Sequence, residues 1–392
     1  MNSYFLDLHI HIGRTLGNRP VKITASRDLR LFEIVKEAAE RKGIDIVGII
    51  DAVSPPVLQE FRELIAAGEL VPLAGGGLTY QGKTTVLLGA EVETAGPHGG
   101  AAHFGVWMPD VETMQEFSDW LAARVTNPVL SSQRARCTSR ELQDIAAELC
   151  GMFIINHAFT PHKSVYGSCV DKASEMLDLS KVTALELGLS ADTGLADLFS
   201  EHANLTYLSN SDAHSLAKIG REYNRIAAAG TSFADVKKAL LRQDGHRVLA
   251  NYGLAPQLGK YHRTYCLDCN EVVPADPPVF TCPMCGGQHV LRGVLDRIYA
   301  IADRPQPVHP DHRPIYYYQV PLEFIPGVGK KTMERLLEAF GTEMNVLHQA
   351  SEAELTEVVG ERIARDIVSA RNGTLKLAAG GGGKYGRAIS LE

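Results

Sequence analysis

Short apolar runs recur through residues 1–250, and nearly every one carries or ends in a carboxylate or an imidazole. The first is Asp7-Leu8-His9-Ile10-His11-Ile12. In a strand, alternation puts Asp7, His9 and His11 on one face and Leu8, Ile10 and Ile12 on the other. Burying a ligand-rich face is costly unless something occupies it, and two imidazoles beside a carboxylate can hold a divalent cation. The run 46–50 ends in Asp51, the run 85–90 in Glu91 with Glu93 two further on, and the run 152–156 in His157. The run 101–107 carries His103, 183–185 leads into Glu186, and 205–211 closes with Asp212-Ala213-His214. Most of these runs precede a plausible helix. Strand–helix alternation with reactive residues at the strand exits is the pattern of a parallel β/α barrel.

A chain of 392 residues has room for two or three domains. Its 45% apolar and 22% charged residues are ordinary for a soluble globular protein. The first residues lack the basic, apolar and small-residue succession of a signal peptide, and no run is long enough to span a bilayer. A cytoplasmic, nucleoid-associated protein with no membrane partner is expected. The net charge of −7 argues against coating nucleic acid by bulk charge. A metal-rich site neutralises its own carboxylates, however, so charge leaves DNA binding open. Of seven cysteines, Cys137, Cys150 and Cys169 are scattered and four have metal-ligand spacing, which suits a reducing compartment.

Residues 1–250 are read as one barrel domain, the usual size of that fold. Within it, a helix is expected over 28–42, with Leu31, Val35, Ala38 and Ala39 on one face and Gly43 as its stop. Thr138-Ser139-Arg140-Glu141 is a capping box for a helix running to Cys150. The polar, basic loop 131–136 is either a phosphate contact or a solvated loop. Composition breaks after Gly259, and 258–300 form a zinc element. Cys266-x2-Cys269 and Cys282-x2-Cys285, twelve residues apart, close a tetrahedron with no open position, so one structural Zn2+ is expected. Residues 301–321, rich in proline with Tyr316 to Tyr318, form a linker or an extended docking segment. In 322–373, Gly327-Val328-Gly329-Lys330-Lys331-Thr332 opens a helix, Ser351 to Glu354 is another capping box, and a looser repeat follows with Val358 in place of Gly327. Residues 374–392 are a Gly-rich tail.

The set His9-x-His11, Asp51, Glu91, His103, His157 and Asp212-x-His214 resembles the polymerase-and-histidinol-phosphatase (PHP) family. That resemblance implies a distorted seven-stranded β/α barrel that cleaves phosphoesters with two or three metal ions at its strand ends. The chain departs from many members in having Ala52 after Asp51 and no further histidine between Gly13 and Asn18. The segment around Gly327 resembles a helix-hairpin-helix, whose glycines let backbone N–H groups approach a phosphate while Lys330 and Lys331 add charge. Barrel, four-cysteine element and hairpin in one chain resemble the endonuclease Q family. The resemblance implies a metal-dependent endonuclease that nicks DNA, double- or single-stranded, 5′ to uracil, hypoxanthine, xanthine or an abasic site.

On this reading His9, His11, Glu91 and Asp212 are the central metal ligands and catalytic residues, completed by Asp51, His103, His157 and His214. Asp7 is expected to orient an imidazole from behind. Histidine-rich ligation suits Zn2+, Mn2+ or iron, with Mg2+ at the weakest position. Selecting a deaminated base implies extruding it. Tyr80, Phe159 and Tyr166, with Lys163 for a phosphate, are the expected pocket residues, and the chain is expected to act as a monomer. The competing readings are a small-molecule phosphatase of the histidinol-phosphate type and a non-catalytic DNA-binding protein.

Overall fold

A computed structural model describes residues 1–378 and 387–389. The glycine tail expected from residue 374 lies largely outside the described residues. The central sheet follows from the apolar runs. Its strands are β1 (Asn2–Ile10), β2 (Ile46–Ile49), β3 (Leu70–Pro72), β4 (Leu78–Tyr80), β5 (Thr84–Ala95), β6 (Ala101–Met108), β7 (Met152–Ile155), β8 (Ala184–Glu186), β9 (Tyr207–Leu208), β10 (Tyr223–Ala228) and β11 (Arg247–Gly253). A twelfth strand, Ile315–Tyr318, pairs parallel to β11 at the edge. The order is 315–318, β11, β10, β1, β2, β5, β6, β7, β8, β9, with the β3–β4 hairpin on β5. The sheet has twelve strands and not seven because that hairpin, the antiparallel flank of β10 and β11 and the edge strand 315–318 join it. It departs from the expected parallel barrel in that β6 runs antiparallel to both β5 and β7.

The sheet curls until its last strand meets its first. Ala213, beyond β9, bridges to Ile10, and three buried asparagines stitch the rest of the seam. Asn210 Oδ1 accepts from Leu8 N–H at 3.1 Å. Asn224 accepts from Ser209 N–H at 2.8 Å and donates to Ser209 O at 2.9 Å. Asn251 Nδ2 donates to Tyr207 O at 3.0 Å. Side-chain amides thus satisfy main-chain groups that a distorted closure leaves unpaired. The barrel floor is apolar, built from Leu6, Leu8, Leu87, Trp107 and Ile154. Gly48 and Gly89 are required there, because a Cβ at either would overlap the Trp107 ring.

Around the sheet run α1 (Leu31–Glu37), α2 (Pro55–Ala66), α3 (Val111–Ala122), α4 (Ser139–Glu148), α5 (Thr193–Ala196) and α6 (Phe233–Leu241). The expected helix 28–42 forms as α1 plus a wider π-turn to Lys42, ended by Gly43 at φ 77°. The Thr138–Glu141 capping box opens α4 as the sequence indicated.

Strands β12 (Tyr265–Cys266), β13 (Glu271–Val272) and β14 (Val290–Leu291) carry the cysteine element, followed by α7 (Val294–Ile301). The strand at 315–318 is β15. The C-terminal helices are α8 (Lys330–Phe340), α9 (Glu343–His348), α10 (Glu352–Val359) and α11 (Glu361–Arg371). They dock on the barrel through His348, whose ring stacks on Phe5 at 4.8 Å and lies 2.6 Å from Tyr223 Oη. Lys42, nearly buried, pairs with Glu343 at 2.8 Å across the same junction. Among the described residues no helix is long and apolar enough to cross a membrane.

The segment before β15 is held by a buried carboxylate. Asp197 takes Arg313 Nη2 at 2.8 Å, His309 Nδ1 at 2.6 Å and Tyr207 Oη at 2.8 Å. The Arg313 guanidinium also lies 3.5 Å over the Tyr207 ring. Asp197→Ala leaves that buried guanidinium with the carbonyls of His202 and Leu205 but no counter-charge, and is expected to lower stability by about 3–5 kcal/mol. Urea unfolding of the two proteins measures this, and a loss under about 1 kcal/mol would show that other contacts hold the segment.

Candidate active site

The candidate residues converge, but not all from strand exits: His103 lies within β6, and Glu91, at their centre, lies within β5, which runs on to Ala95. Its carboxylate lies 3.4 Å from His9 Nε2, 3.7 Å from His11 Nε2, 2.9 Å from His103 Nδ1 and 3.3 Å from His157 Nε2. Asp212 Oδ1 stands 3.6 Å from His9 Nε2 and 3.5 Å from His11 Nε2. Two ligand sets result, His9–His11–Asp212 and Glu91–His103–His157, each with its donor atoms within 4.8 Å of one another. His214, half-exposed, closes one side with its ring 4.6 Å from His11.

Donor chemistry and burial both fit metal ions. His9 Nε2 and His103 Nδ1 are buried and have no hydrogen-bond partner, although both approach Glu91. Lone-pair atoms gathered without hydrogen bonds are what a shared cation satisfies. Burial pushes the Glu91 carboxyl up, but His103 and Lys22 beside it outweigh this and hold it well below the usual range. Asp212 behaves alike, burial being overcome by His9 and His11. Both stay ionised, the form that binds a cation.

Two carboxylates stand behind the imidazoles. Glu186 Oε2 meets His9 Nδ1 at 2.9 Å, and both Asp51 oxygens meet His11 Nδ1 at 3.1 Å, leaving each Nε2 aimed inward. Asp51 also accepts from Ile12 N–H and the Ser131 hydroxyl. Asp51, expected among the ligands, thus has both oxygens on His11 Nδ1 and stands outside the two sets of convergent donor atoms. Asp7 does not orient an imidazole. It accepts N–H groups of Ser211, Gly220 and His9. The reason is a register shift: β1 has three steps from Asp7 to Ile10 where β2 has two from Val47 to Ile49, which breaks the alternation that placed Asp7 beside the histidines. Backbone strain collects here too, since His157 and Asp212 both take positive φ, 29° and 45°.

Several residues of the site lie outside the expected ligand set. Lys22 reaches Glu91 at 2.9 Å from the loop after β1, and Ser132 also donates to Glu91. The basic loop 131–136 thus turns inward. Glu93 gathers His103, Arg134 and Lys163; burial pushes it up, but hydrogen bonds from those three bring it to about 2. Lys22 carried no sequence signal, because a lysine in a polar loop looks solvated. Glu186 and Glu93 could be found as acids at the ends of apolar runs, but nothing in sequence separates a ligand from its supporting carboxylate.

A cavity of about 850 Å³ opens over the cluster, lined also by Lys163, Lys218, Arg221 and Tyr261. Of the expected pocket residues only Lys163 reaches it. Tyr80 is buried on β4 against Phe32 and near Glu40. Phe159 and Tyr166 stack on each other at 5.1 Å in the core, with the Tyr166 hydroxyl on Glu201 and His202. Aromatic residues in loop sequences were core residues here, the commoner fate of large apolar surface.

The four cysteines come together on β12 and two turns, with Cys266 and Cys285 sulfurs 3.7 Å apart and Cys269 and Cys282 3.8 Å. At the hairpin, Gly327 has φ 91°, and a Cβ there would strike Arg362 and Ile363 of the second hairpin. Val328 is buried as a plug, Gly329 faces open space, and Thr332 Oγ1 caps back to Gly327 O at 3.0 Å. Lys330 and Lys331 are exposed at the start of α8.

Residues 321–372 match the SAM-like helix-hairpin-helix tandem family, and 193–244 match the PHP-associated family. A Bacillus subtilis protein, the uncharacterized protein YqxK, is 47% identical over 389 residues, covering 99% of both chains. The crystal structure of the lesion-specific endonuclease PfuEndoQ from Pyrococcus furiosus matches with a TM-score of 0.84 at 31% identity, covering 100% of this chain and 96% of that one. Endonuclease Q in complex with a 27-mer duplex substrate bearing an abasic lesion at the active site matches equally, at 0.84 and 31%, covering 97% of that chain. Similarity of this extent over the whole length means that this chain belongs to the endonuclease Q family.

Proposed function

We propose that the protein is a DNA repair endonuclease that hydrolyses the phosphodiester bond 5′ to a deaminated base or an abasic site. The observation that carries this reading is Glu91, one carboxylate shared between two sets of imidazole ligands beneath a cavity edged with lysine and arginine. His9, His11 and Asp212 would hold one ion, His103 and His157 another, with Glu91 between them and His214 beside Asp212. When bound, two or three such ions, Zn2+ with Mn2+ or Mg2+ as alternatives, supply an activated water and neutralise charge on the phosphate. Glu186 and Asp51 hold the imidazoles of His9 and His11 in one tautomer and one orientation. Lys22, Lys163 and Arg221 place positive charge where a phosphate backbone enters. The hairpins grip DNA without reading it, since backbone N–H groups at α8 meet phosphates that carry no base information.

Asp212→Ala removes a ligand without touching the hairpins. It is expected to abolish nicking of a uracil, hypoxanthine or abasic duplex while DNA affinity stays within about twofold. Undamaged duplex and a phosphomonoester serve as controls. Full nicking by a folded, metal-analysed mutant would defeat the assignment, and preference for the monoester would favour a phosphatase.

The cysteine cluster has no open position and lies apart from the barrel ligands. Cys282→Ser is expected to release about one zinc per chain and to lower stability, with the barrel metals retained. Metal analysis of purified protein decides it; unchanged zinc content would rule out a zinc ion on these thiolates.

For the hairpin, replacing Lys330 and Lys331 by alanine should weaken binding to damaged and undamaged duplex by similar factors. The slope of log affinity against log salt should fall by about 0.9 for each phosphate that the variant no longer neutralises. A mutant that lost lesion preference but kept its affinity for undamaged DNA would place base recognition in the hairpin.

A further inference from the structure

The cavity over the metal-ligand cluster needs a surface on which an extruded base can rest, and the rings of Phe159, Tyr166 and Tyr80 are packed elsewhere. Among the described side chains lining it, Tyr261 is the only one that carries a phenyl or indole ring. It comes from the stretch that joins barrel to cysteine element. That stretch is fixed at both ends. Gly259 lies so close to Ser190, in the loop after β8, that a Cβ would overlap the serine hydroxyl. The N–H groups of Val294 and Leu295, opening α7, donate to the carbonyls of Tyr261 at 2.8 Å and His262 at 3.0 Å. Arg297 of the same helix donates to Tyr166 O at 2.7 Å, tying α7 back to the barrel. The half-buried Tyr261 ring meets His162 edge-to-face at 5.9 Å, and the Lys260 ammonium stands 5.1 Å from its centroid.

We propose that Tyr261 is the stacking wall for a damaged base turned out of the duplex, making it a specificity-determining residue for lesions that still carry a base. The inference rests on the nuclease reading above. A base leaving the helix loses its stacked neighbours, and an aromatic face restores that packing for any base, since every base has a π-face. The entering base takes the ring face from the Lys260 ammonium, which moves onto a backbone phosphate. An abasic site has no ring to place there. The cysteine element then acts in recognition by holding Tyr261 against the barrel mouth.

The test compares nicking of duplexes with one uracil, one hypoxanthine or one abasic site by the full metal-loaded chain. Wild type runs beside Tyr261→Ala, Tyr261→Leu and Tyr261→Phe. The leucine variant keeps apolar bulk without a π-face, so a failure of the alanine variant to fold does not end the experiment. Loss of stacking predicts a fall of about ten- to hundredfold in kcat/KM on uracil and hypoxanthine for the alanine and leucine variants. Abasic cleavage should change by less than about threefold, and phenylalanine should restore all three substrates. Fluorescence of a 2-aminopurine placed beside the uracil reads extrusion without turnover, and its rise on binding should be lost in Tyr261→Ala. Equal losses on all three duplexes would make Tyr261 a structural residue and overturn the proposal, as would no loss on any. A wild-type chain that nicks none of them defeats the nuclease reading itself, and the proposal with it.

Discussion

Glu91 is a single buried carboxylate on which the architecture of the site depends. Four imidazoles, one ammonium, one hydroxyl and the Asn156 amide reach it from β1 and its exit, β6, the exit of β7 and two loops. An ionised carboxylate taken out of water is unstable unless its oxygens are paired, so the strands that carry its partners must end at one place. That demand makes the barrel's distortions intelligible. The register shift in β1 turns Asp7 to the Ser211 and Gly220 N–H groups and leaves His9 and His11 facing Glu91. The positive φ angles of His157 and Asp212 serve the same convergence.

Behind the imidazoles a second tier of carboxylates does a different job. Glu186 and Asp51 bond to the Nδ1 atoms, so the Nε2 lone pairs have one direction left. Such pairs raise ligand basicity and fix the tautomer. They are themselves held, Glu186 by Asn210 at 3.0 Å and Asp51 by Ile12 N–H at 2.7 Å. Asn210 also takes part in the seam that closes the sheet through Leu8. Closure of the barrel and orientation of a ligand are therefore one hydrogen-bond network, and a change at the seam reaches the centre through two bonds.

The parts outside the barrel are not strung along it loosely. α9 and its His348 seat the helical region on β1 and β10, and Asp197 clamps the segment before β15. α7 joins the cysteine element to the barrel loops. The cavity mouth is built from barrel loops together with Lys260 and Tyr261, and Tyr261 is bonded through its carbonyl to the start of α7. Docking of this kind fixes the spacing between the hairpins and the barrel site, and a displacement of about 1 Å at a reacting centre is enough to cost catalysis heavily.

Periodicity alone determined much of this protein. Apolar runs ending in Asp51, His157 and Asp212 placed reactive groups beyond strand ends, since alternation and strand direction are local properties of the chain. Glu91 instead lies inside β5, which continues past its apolar run. The two Cys-x2-Cys pairs and the Gly327 hairpin were equally legible, because knuckles and tight turns are built within a few residues. What sequence could not decide was which acid joins the convergent donor atoms and which stands behind an imidazole. Asp51 and Glu186 differ from Glu91 only by where the curl of the sheet delivers them, a long-range outcome. Nor could it tell a pocket ring from a core ring, so Phe159 and Tyr166 looked available while Tyr261, beside the cysteine element, did not. Lys22 reached Glu91 only after a loop more than sixty positions away in sequence from the acid had folded over the strand ends. Ligand type is a property of the residue; ligand position belongs to the closed barrel, where burial decides which charges must meet.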